Sequence, residues 1–482
     1  MNTTPKLQPR RSPEPGRPFV NRGRELKLVR DKLDIGMQGK SMPSTVTCFW
    51  GAFGMGKSWL LLELERRYRH AGLKGVGSHP TIAARLDLNR EILPSLWQDE
   101  QLNREQLIRE LWKQLASQLE TDVPDSGRAS ADEWAEAFMN EVTVWSVQSA
   151  TPLIMLDTVD DLVKLDESTF FWLEQHLVER LALTNRVLFI FASRGELRRW
   201  RRFQVRRRVD SYRLTAFDAK TAGEEVGANP DVSQVLFRHA FGHPLVTEYL
   251  GTVLEKQGVD LQKAERVERL VEPSLAQAVL GEVMTKILEK VPELPAKLAR
   301  YTSVLRWVSV EPLRFLAESL DLSEHGRGDA YYLDRIGELQ AHHLLYWNSN
   351  KNSYEPDPVL RRLLAYFLQL EEPARFCKAH LAVFDFHRGH LSEYPQYLAR
   401  YVPELAYHRA ILERCELLEL QPPTIQAWWE QFLSEKAPIS REPWAELVKA
   451  LEQDKELQDV SPIEDYDRLY SEAKKRAIGM TG

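Results

Sequence analysis

The sequence predicts a parallel α/β domain followed by regions that are almost entirely helical. Up to about residue 216, short apolar runs that suit buried strands alternate with amphipathic helices. A glycine-rich segment joins the first of these strands, residues 46–50, to a helix. Beyond residue 216 the apolar spacing is helical, except at a polar turn between aromatic residues, 346–354, which predicts a β-hairpin.

The glycine-rich segment, residues 51–58 (GAFGMGKS), fits the phosphate-loop pattern G-x-x-x-x-G-K-[ST] at every fixed position. Glycines allow backbone N–H groups to turn inward around a phosphate, Lys57 supplies positive charge to the β- and γ-phosphates, and the Ser58 hydroxyl is a ligand for Mg²⁺. A strand before the loop and a helix after it are the context that this motif requires. The residues that we expect to bind ATP or ADP here are Gly51, Gly54, Met55, Gly56, Lys57, Ser58 and Trp59.

Acidic residues follow the apolar run 153–156. Asp157 comes directly after this run, where a strand end would line the ligand crevice of an open parallel sheet. We therefore expect Asp157 to hold Mg²⁺ together with Ser58. Asp160 and Asp161 come next, and one of them is expected to activate water, although acids also collect at helix starts because of the helix dipole.

Arg194 follows the apolar run 187–192, which predicts another buried strand. From the end of that strand a guanidinium group would approach the γ-phosphate. There it would stabilise transferred charge or report whether the γ-phosphate is present. The alternative is an ordinary surface arginine at a strand end.

Charge restricts the classes of partner. The net charge is −6, which argues against a protein whose whole surface is basic and binds nucleic acid. One strongly basic run, residues 198–208 (RRWRRFQVRRR), leaves three interpretations open: a solvated loop, a contact with a neighbouring subunit, or a grip on a nucleic-acid backbone.

The remaining composition suits a cytoplasmic protein. Residues 1–18 are proline-rich and polar and predict a flexible leader. No uncharged apolar run reaches the ~18 residues that a membrane span needs. Cys48, Cys377 and Cys415 are far apart, so we expect reduced thiols and no disulfide framework.

Five segments in this order resemble the STAND class of signal-transducing P-loop ATPases, which is related to AAA+ proteins and includes the NACHT and NB-ARC switches. They are residues 19–26 (FVNRGREL), 153–162 (LIMLDTVDDL), 191–194 (FASR), 212–215 (YRLT) and 242–245 (GHPL). The resemblance implies that Pro244 packs on the bound nucleotide. Since residues 19–26 lie about one helix before the phosphate loop, Val20 and Arg22 are expected near the base.

The resemblance also implies a domain order and a function. It covers about residues 19–370 and implies an ATPase core at 19–216, a helical lid at 217–292 and a winged-helix domain at 293–372. Residues 373–482 have a helical pattern rich in aromatic residues, which predicts a separate helical domain. The function would be that of a switch, of the kind used in bacterial signalling or defence. It would bind ATP or ADP with Mg²⁺, hydrolyse ATP slowly, and form a homo-oligomer or a complex with a separate effector protein.

One position departs from the family pattern. Many members carry a histidine near the end of the winged helix that touches the ADP β-phosphate, whereas Asp357 or Pro358 stands there in this sequence. A carboxylate would repel a diphosphate. Either another residue, such as His342 or His343, closes the ADP state, or that state is held less tightly.

Two other functions remain open at this point. The chain could be an AAA+-type DNA-binding ATPase, as in loading or transposition, that uses the winged helix and residues 198–208. It could also be a scaffold that binds nucleotide and never hydrolyses it.

Overall fold

The computed structural model describes residues 19–20, 22–69, 80–89, 100–123, 130–271, 273–289, 291–322, 327–349, 351–415, 425–435 and 439–479. The chain divides into two compact units, Met1–Val271 and Glu272–Gly482. The predicted leader, 1–18, lies outside the described residues, as does Asn21 of the entry segment.

The first unit begins with an α/β domain. Its strands are β1 (Val46–Trp50), β2 (Thr81–Asp87), β3 (Thr151–Asp157), β4 (Leu188–Ser193) and β5 (Val209–Arg213). Its helices are α1 (Gly23–Met37), α2 (Lys57–Tyr68), α3 (Glu100–Leu119), α4 (Ala131–Gln148), α5 (Val159–Leu165), α6 (Glu167–Leu173), α7 (Glu179–Leu183) and α8 (Phe203–Arg206), with a π-helical turn at Glu174–Val178. The predicted alternation of strands and helices is therefore confirmed.

The five strands form one parallel sheet in the order β2-β3-β4-β1-β5. All seven residues of β3 and all six of β4 are buried, as expected for central strands covered on both faces. Trp112 of α3 and Phe138 of α4 pack with the strands in one apolar core. In the register of the sheet, Asp87 lies opposite Asp157, and Trp50 lies opposite Ser193. The residues that follow β1, β3 and β4 therefore meet at one edge of the sheet.

Four helices complete the first unit: α9 (Ala219–Val226), α10 (Pro230–Ala240), α11 (Pro244–Lys256) and α12 (Ala264–Leu270). The predicted break at 242–244 separates α10 from α11. Gly242 is required there because its φ is 74° and a Cβ would lie 2.0 Å from the carbonyl oxygen of Phe217.

The second unit begins with α13 (Pro273–Leu288), a helix that the sequence assigned to the lid. It continues with α14 (Glu293–Thr302), α15 (Val310–Ser319), α16 (Asp329–Ala341), β6 (Leu345–Asn348), β7 (Ser353–Pro356) and α17 (Pro358–Glu371). The predicted hairpin is confirmed because β6 pairs with β7 antiparallel, and Val308 adds a bridge to Tyr354. Helices α14, α15 and α16 precede this small antiparallel sheet and α17 follows it, which is the order expected of the predicted winged helix; that domain assignment stays a prediction.

The chain then continues with helices only: α18 (Pro373–Glu393), α19 (Leu398–Leu412), α20 (Ile425–Glu435), α21 (Arg441–Gln453), α22 (Lys455–Val460) and α23 (Ile463–Ala477). The expectation of three reduced cysteines is wrong for one pair. A disulfide joins Cys377 to Cys415, whereas Cys48 is free and buried. Among the described residues, no helix combines the length and the apolarity needed to cross a membrane.

Candidate nucleotide site at the carboxyl edge of the sheet

The phosphate loop connects β1 to α2 with the backbone that its glycines predict. Gly54 and Gly56 have φ values of 77° and 82°, in the left-handed region that favours glycine. The Lys57 ammonium donates hydrogen bonds to the carbonyl oxygens of Gly51 and Ala52, at 2.7 and 2.9 Å. Because α2 begins at Lys57, its N-terminal N–H groups and its positive dipole end lie at the loop. The structure therefore offers a phosphate cradle at residues 51–58.

Asp157 lies at the end of β3 with almost no exposure to solvent. Its Oδ1 accepts a hydrogen bond from the Thr158 N–H at 2.9 Å, and its Oδ2 accepts none within the described part of the chain but lies 3.8 Å from Arg85 Nη1. Burial, followed by the charge of neighbouring Asp87, raises the pKa of Asp157 to about 6, although Ser58, Arg85 and Lys57 act in the opposite direction. A divalent cation would bind this oxygen, which makes no hydrogen bond, and would favour the charged form of Asp157, so the site fits Mg²⁺.

Asp87 is a residue of this site that the sequence analysis missed. It ends β2, and its Oδ1 accepts a hydrogen bond from the Thr158 hydroxyl at 2.9 Å. Thr158 needs support because its φ is 57°, a conformation that a β-branched residue rarely adopts. The signal was present in the sequence, since Asp87 ends an apolar run just as Asp157 does.

Arg194 lies one residue beyond β4 and contacts two parts of the site. Its backbone N–H donates to Asp160 Oδ1 at 3.0 Å, and its guanidinium Nε lies 3.6 Å from Asp160 Oδ2. The guanidinium carbon also lies 5.6 Å from the centre of the Phe53 ring in the phosphate loop. The structure therefore pairs Asp160 with Arg194, and it places Asp161, also buried, one residue further along α5.

The loop also contacts the beginning of α11. The Nε2 of His243 lies 2.8 Å from the Phe53 carbonyl oxygen, and its Nδ1 accepts a hydrogen bond from the Val246 N–H at 3.4 Å. These two partners fix the neutral tautomer with the proton on Nε2. The Leu245 N–H donates to the Gly54 carbonyl oxygen at 3.3 Å. A Cβ on Gly54 would lie only 2.4 Å from His243 Cε1, so the two segments are in close contact.

Arg22 joins the entry segment to both the loop and the connection that leads to α9. Its guanidinium donates to the carbonyl oxygens of Met55 and Thr215, at 2.8 and 2.9 Å, and lies 5.3 Å from the Phe217 ring centre. The predicted contact residues Val20 and Trp59 are partly buried, and Pro244 is the first residue of α11. Whether Val20, Arg22 and Pro244 touch a nucleotide stays a prediction.

No family model and no curated protein matches the chain. Among solved structures, it is similar to the Aeropyrum pernix ORC2 protein in its ADP form, with 15% identity over 76% of this chain and 97% of that one (TM-score 0.48). It is also similar to the Walker-type ATPase paby2304 of Pyrococcus abyssi, with 14% identity over 72% and 96% (TM-score 0.48). A third is the Thermotoga maritima RuvB Holliday junction branch migration motor, with 13% identity over 70% and 95% (TM-score 0.34). At these identities the likeness concerns the fold alone.

The basic run, residues 198–208, is largely engaged with neighbouring side chains. Ion pairs join Arg198 to Glu196, Arg199 to Glu167 and Arg202 to Glu179, at 2.5, 3.0 and 3.3 Å. The Arg201 guanidinium lies on the Phe171 ring, and Trp200 is buried. These ion pairs engage three of the seven arginines of the run, and burial keeps the tryptophan from stacking on a base, which favours the interpretation as a solvated segment over a nucleic-acid grip.

Asp357, at the position where the family pattern has a histidine, caps a helix. Its Oδ1 accepts hydrogen bonds from the N–H groups of Val359 and Leu360, at 3.0 and 3.1 Å, at the start of α17. The residue is buried in the second unit. Its structural role is therefore a local one, and the closing role of His342 or His343 stays a prediction.

Proposed function

We propose that this chain is a STAND-type molecular switch that binds ATP or ADP with Mg²⁺ and hydrolyses ATP slowly. A signal would make it assemble with further copies or recruit a separate effector protein. The observation that carries the proposal is the direct contact of α11 with the phosphate loop through His243. A bound phosphate would contact the same loop backbone, Phe53 and Gly54, that the lid segment holds.

This contact gives nucleotide exchange a route to the lid. A ligand shifts a conformational equilibrium only by its difference in affinity for the two states. A γ-phosphate that interacts with Arg194 would compete with Asp160 for the guanidinium and would disturb its position over Phe53. The same loop residue bonds to His243, so the two nucleotides would favour different positions of α11.

The metal would be held by Ser58 and Asp157, whose buried Oδ2 is available to it. Bound Mg²⁺ would neutralise charge on the triphosphate. Asp161, buried in the first turn of α5, is the carboxylate that we assign to orienting the attacking water. Hydrolysis would then limit the lifetime of the ATP-bound form.

Mass measurement by light scattering after gel filtration tests the switch. We expect wild type to form a larger species with a slowly hydrolysed ATP analogue and Mg²⁺ than with ADP. Lys57→Ala should remain small in both because it loses the phosphate contact. Lys40→Ala is the matched control, since Lys40 is exposed and its ammonium donates a hydrogen bond to the side chain of nearby Gln38. Equal masses of wild type with both nucleotides would refute nucleotide-gated assembly.

Phosphate release separates the switch from a scaffold that never hydrolyses ATP. Wild type should release phosphate slowly, and Asp161→Ala should lose this activity while retaining ATP binding. Removal of a positioned general base typically lowers the rate of the chemical step by about 10²–10⁴-fold. A difference of that size in phosphate release is measurable even for a slow enzyme. Absence of phosphate release from wild type would leave only the scaffold.

A DNA-binding ATPase has less support, because the basic run is engaged with Glu167, Glu179 and Glu196. That function would require duplex binding that weakens steeply with salt, since phosphate contacts release counterions. This hypothesis would be favoured if the protein shifted duplex DNA at low salt in an ATP-dependent way and if replacing Arg206 and Arg207 by glutamine abolished the shift.

A further inference from the structure

A second cluster of chemically active side chains lies in the second unit, between α18 and α19. It contains His380 and His387 of α18 with Glu404 and His408 of α19, and each is at most 5% exposed. The histidines of α18 are two helical turns apart, and the α19 pair is one turn apart, so each helix presents its pair along one face. The proposed nucleotide switch uses none of them.

These side chains are buried without enough partners. One polar atom of each makes no hydrogen bond to any described residue: His380 Nε2, His387 Nδ1, Glu404 Oε2 and His408 Nε2. Leaving a polar group buried and unpaired costs roughly 1–3 kcal/mol, and native proteins contain only a few such groups per 100 residues. Three of these four residues, His387, Glu404 and His408, also lie close enough together to share one bound group.

The donor set indicates a metal ion. One ligand atom each from His387, Glu404 and His408 lies within 4.8 Å of the others. Around a tetrahedral zinc with bonds of about 2.0–2.1 Å the ligand atoms stand about 3.4 Å apart, so small side-chain rotations bring the three to a common centre. His387 and His408 are both buried, and a neutral imidazole is the form that binds a metal ion.

We infer that His387, Glu404 and His408 bind one Zn²⁺ that fastens α18 to α19. His408 binds through Nε2, because its Nδ1 is hydrogen-bonded to His380 Nδ1 at 2.8 Å. His380 is therefore a positioning residue that orients the His408 ring.

Two further features support a site of this kind. Arg306 Nε lies 3.2 Å from Glu404 Oε1, which orients the carboxylate and leaves Oε2 for the metal. The same guanidinium also pairs with Asp454, so Glu404 shares this partner with a second carboxylate. The disulfide between Cys377 of α18 and Cys415, which lies just after α19, already links these two helices, so the zinc ion would be a second link between them.

Zinc binding by the untagged full-length protein tests the assignment. The protein is stripped with a chelator, dialysed and titrated with ZnCl₂ against a chromophoric competitor, and its metal content is measured by mass spectrometry. Wild type should bind one zinc per chain, and His408→Gln and Glu404→Gln should bind it at least about tenfold more weakly. The matched control is His390→Gln, which removes an imidazole from α18 outside the cluster and should bind like wild type. Equal affinity in all four proteins, or no zinc bound by wild type, would overturn the proposal.

Two measurements on wild type remain decisive if a variant fails to fold. Zinc should raise the melting temperature of the stripped protein, and no change would count against a structural site. Cobalt in place of zinc should give the visible spectrum of a tetrahedral site with nitrogen and oxygen ligands. A sulfur-to-cobalt charge-transfer band would overturn the assignment, because it would place the metal on cysteine.

Discussion

Replacing Asp157 by asparagine should make the protein without nucleotide or Mg²⁺ more stable at neutral pH. Burial and the neighbouring charge of Asp87 raise the pKa of Asp157 from 3.8 to about 6 in the folded chain. Between these two values the folded protein keeps a proton that the unfolded chain has released. The contribution of Asp157 to the free energy of unfolding is therefore most favourable below pH 3.8. It decreases as the pH rises through this interval and is lost above about pH 6.

The size of the effect follows from this pKa difference. One pH unit corresponds to about 1.4 kcal/mol, so the charged Asp157 lowers the free energy of unfolding by about 3 kcal/mol at about pH 7.5. At about pH 4.5 the same relation gives a decrease in the free energy of unfolding of only about 1 kcal/mol. An asparagine carries no charge and its carbonyl oxygen still accepts the Thr158 N–H, so Asp157→Asn should recover these amounts.

Hydrogen exchange measured by mass spectrometry suits this test, because two units need not unfold in one step. Peptides that cover β3 report the free energy of opening the sheet, and they are compared between Asp157→Asn and wild type at both pH values in the presence of chelator. Asp31→Asn is the control, because Asp31 is exposed on α1 and should change neither value. The reasoning is refuted if Asp157→Asn is no more stable than wild type near pH 7.5, or if its advantage does not shrink at the lower pH.

Three further outcomes can be checked. Gly54→Ala should weaken ATP binding more than Gly56→Ala, measured by calorimetry; both have positive φ, but only a Cβ on Gly54 meets a neighbour within 4 Å. Arg194→Ala should lower the melting temperature by leaving buried Asp160 without its ion pair, a cost of about 1–3 kcal/mol, and Asp160→Asn in the same chain should recover part of it. Native protein should show no reactive thiol, unfolding without reductant should expose Cys48 alone, and reductant should raise the count to three.

Local pattern was sufficient to predict much of this molecule. The apolar runs ending at Trp50, Leu156 and Ala192 became three adjacent strands, because short apolar runs between turn signals favour strands buried on both faces. The phosphate loop followed from residue types whose backbone and charge requirements are specific. The hairpin at 346–354 followed from aromatic residues on either side of a polar turn.

The contacts that could not be predicted join residues far apart in the chain. His243 lies in a segment that the sequence singled out for Pro244, yet its bond to Phe53 depends on how α11 packs against the loop. The disulfide spans 38 residues and depends on the packing of α18 on α19. Spacing along the sequence shows which face of a helix is apolar, but it does not show which other element that face packs against. Neither contact could therefore be predicted from a local pattern.

The carboxyl edge of the sheet contains two unfavourable features that share one neighbour. Thr158 adopts a left-handed conformation that costs roughly 1–2 kcal/mol, and Asp157 is a buried carboxyl with a raised pKa. Asp87 takes part in both, because it accepts the Thr158 hydroxyl and adds negative charge beside Asp157. A fold selected for stability alone would replace Thr158 by glycine and Asp87 or Asp157 by a neutral residue. Their coincidence at one edge, next to the phosphate loop, supports the proposal that this edge binds Mg²⁺ and nucleotide phosphates.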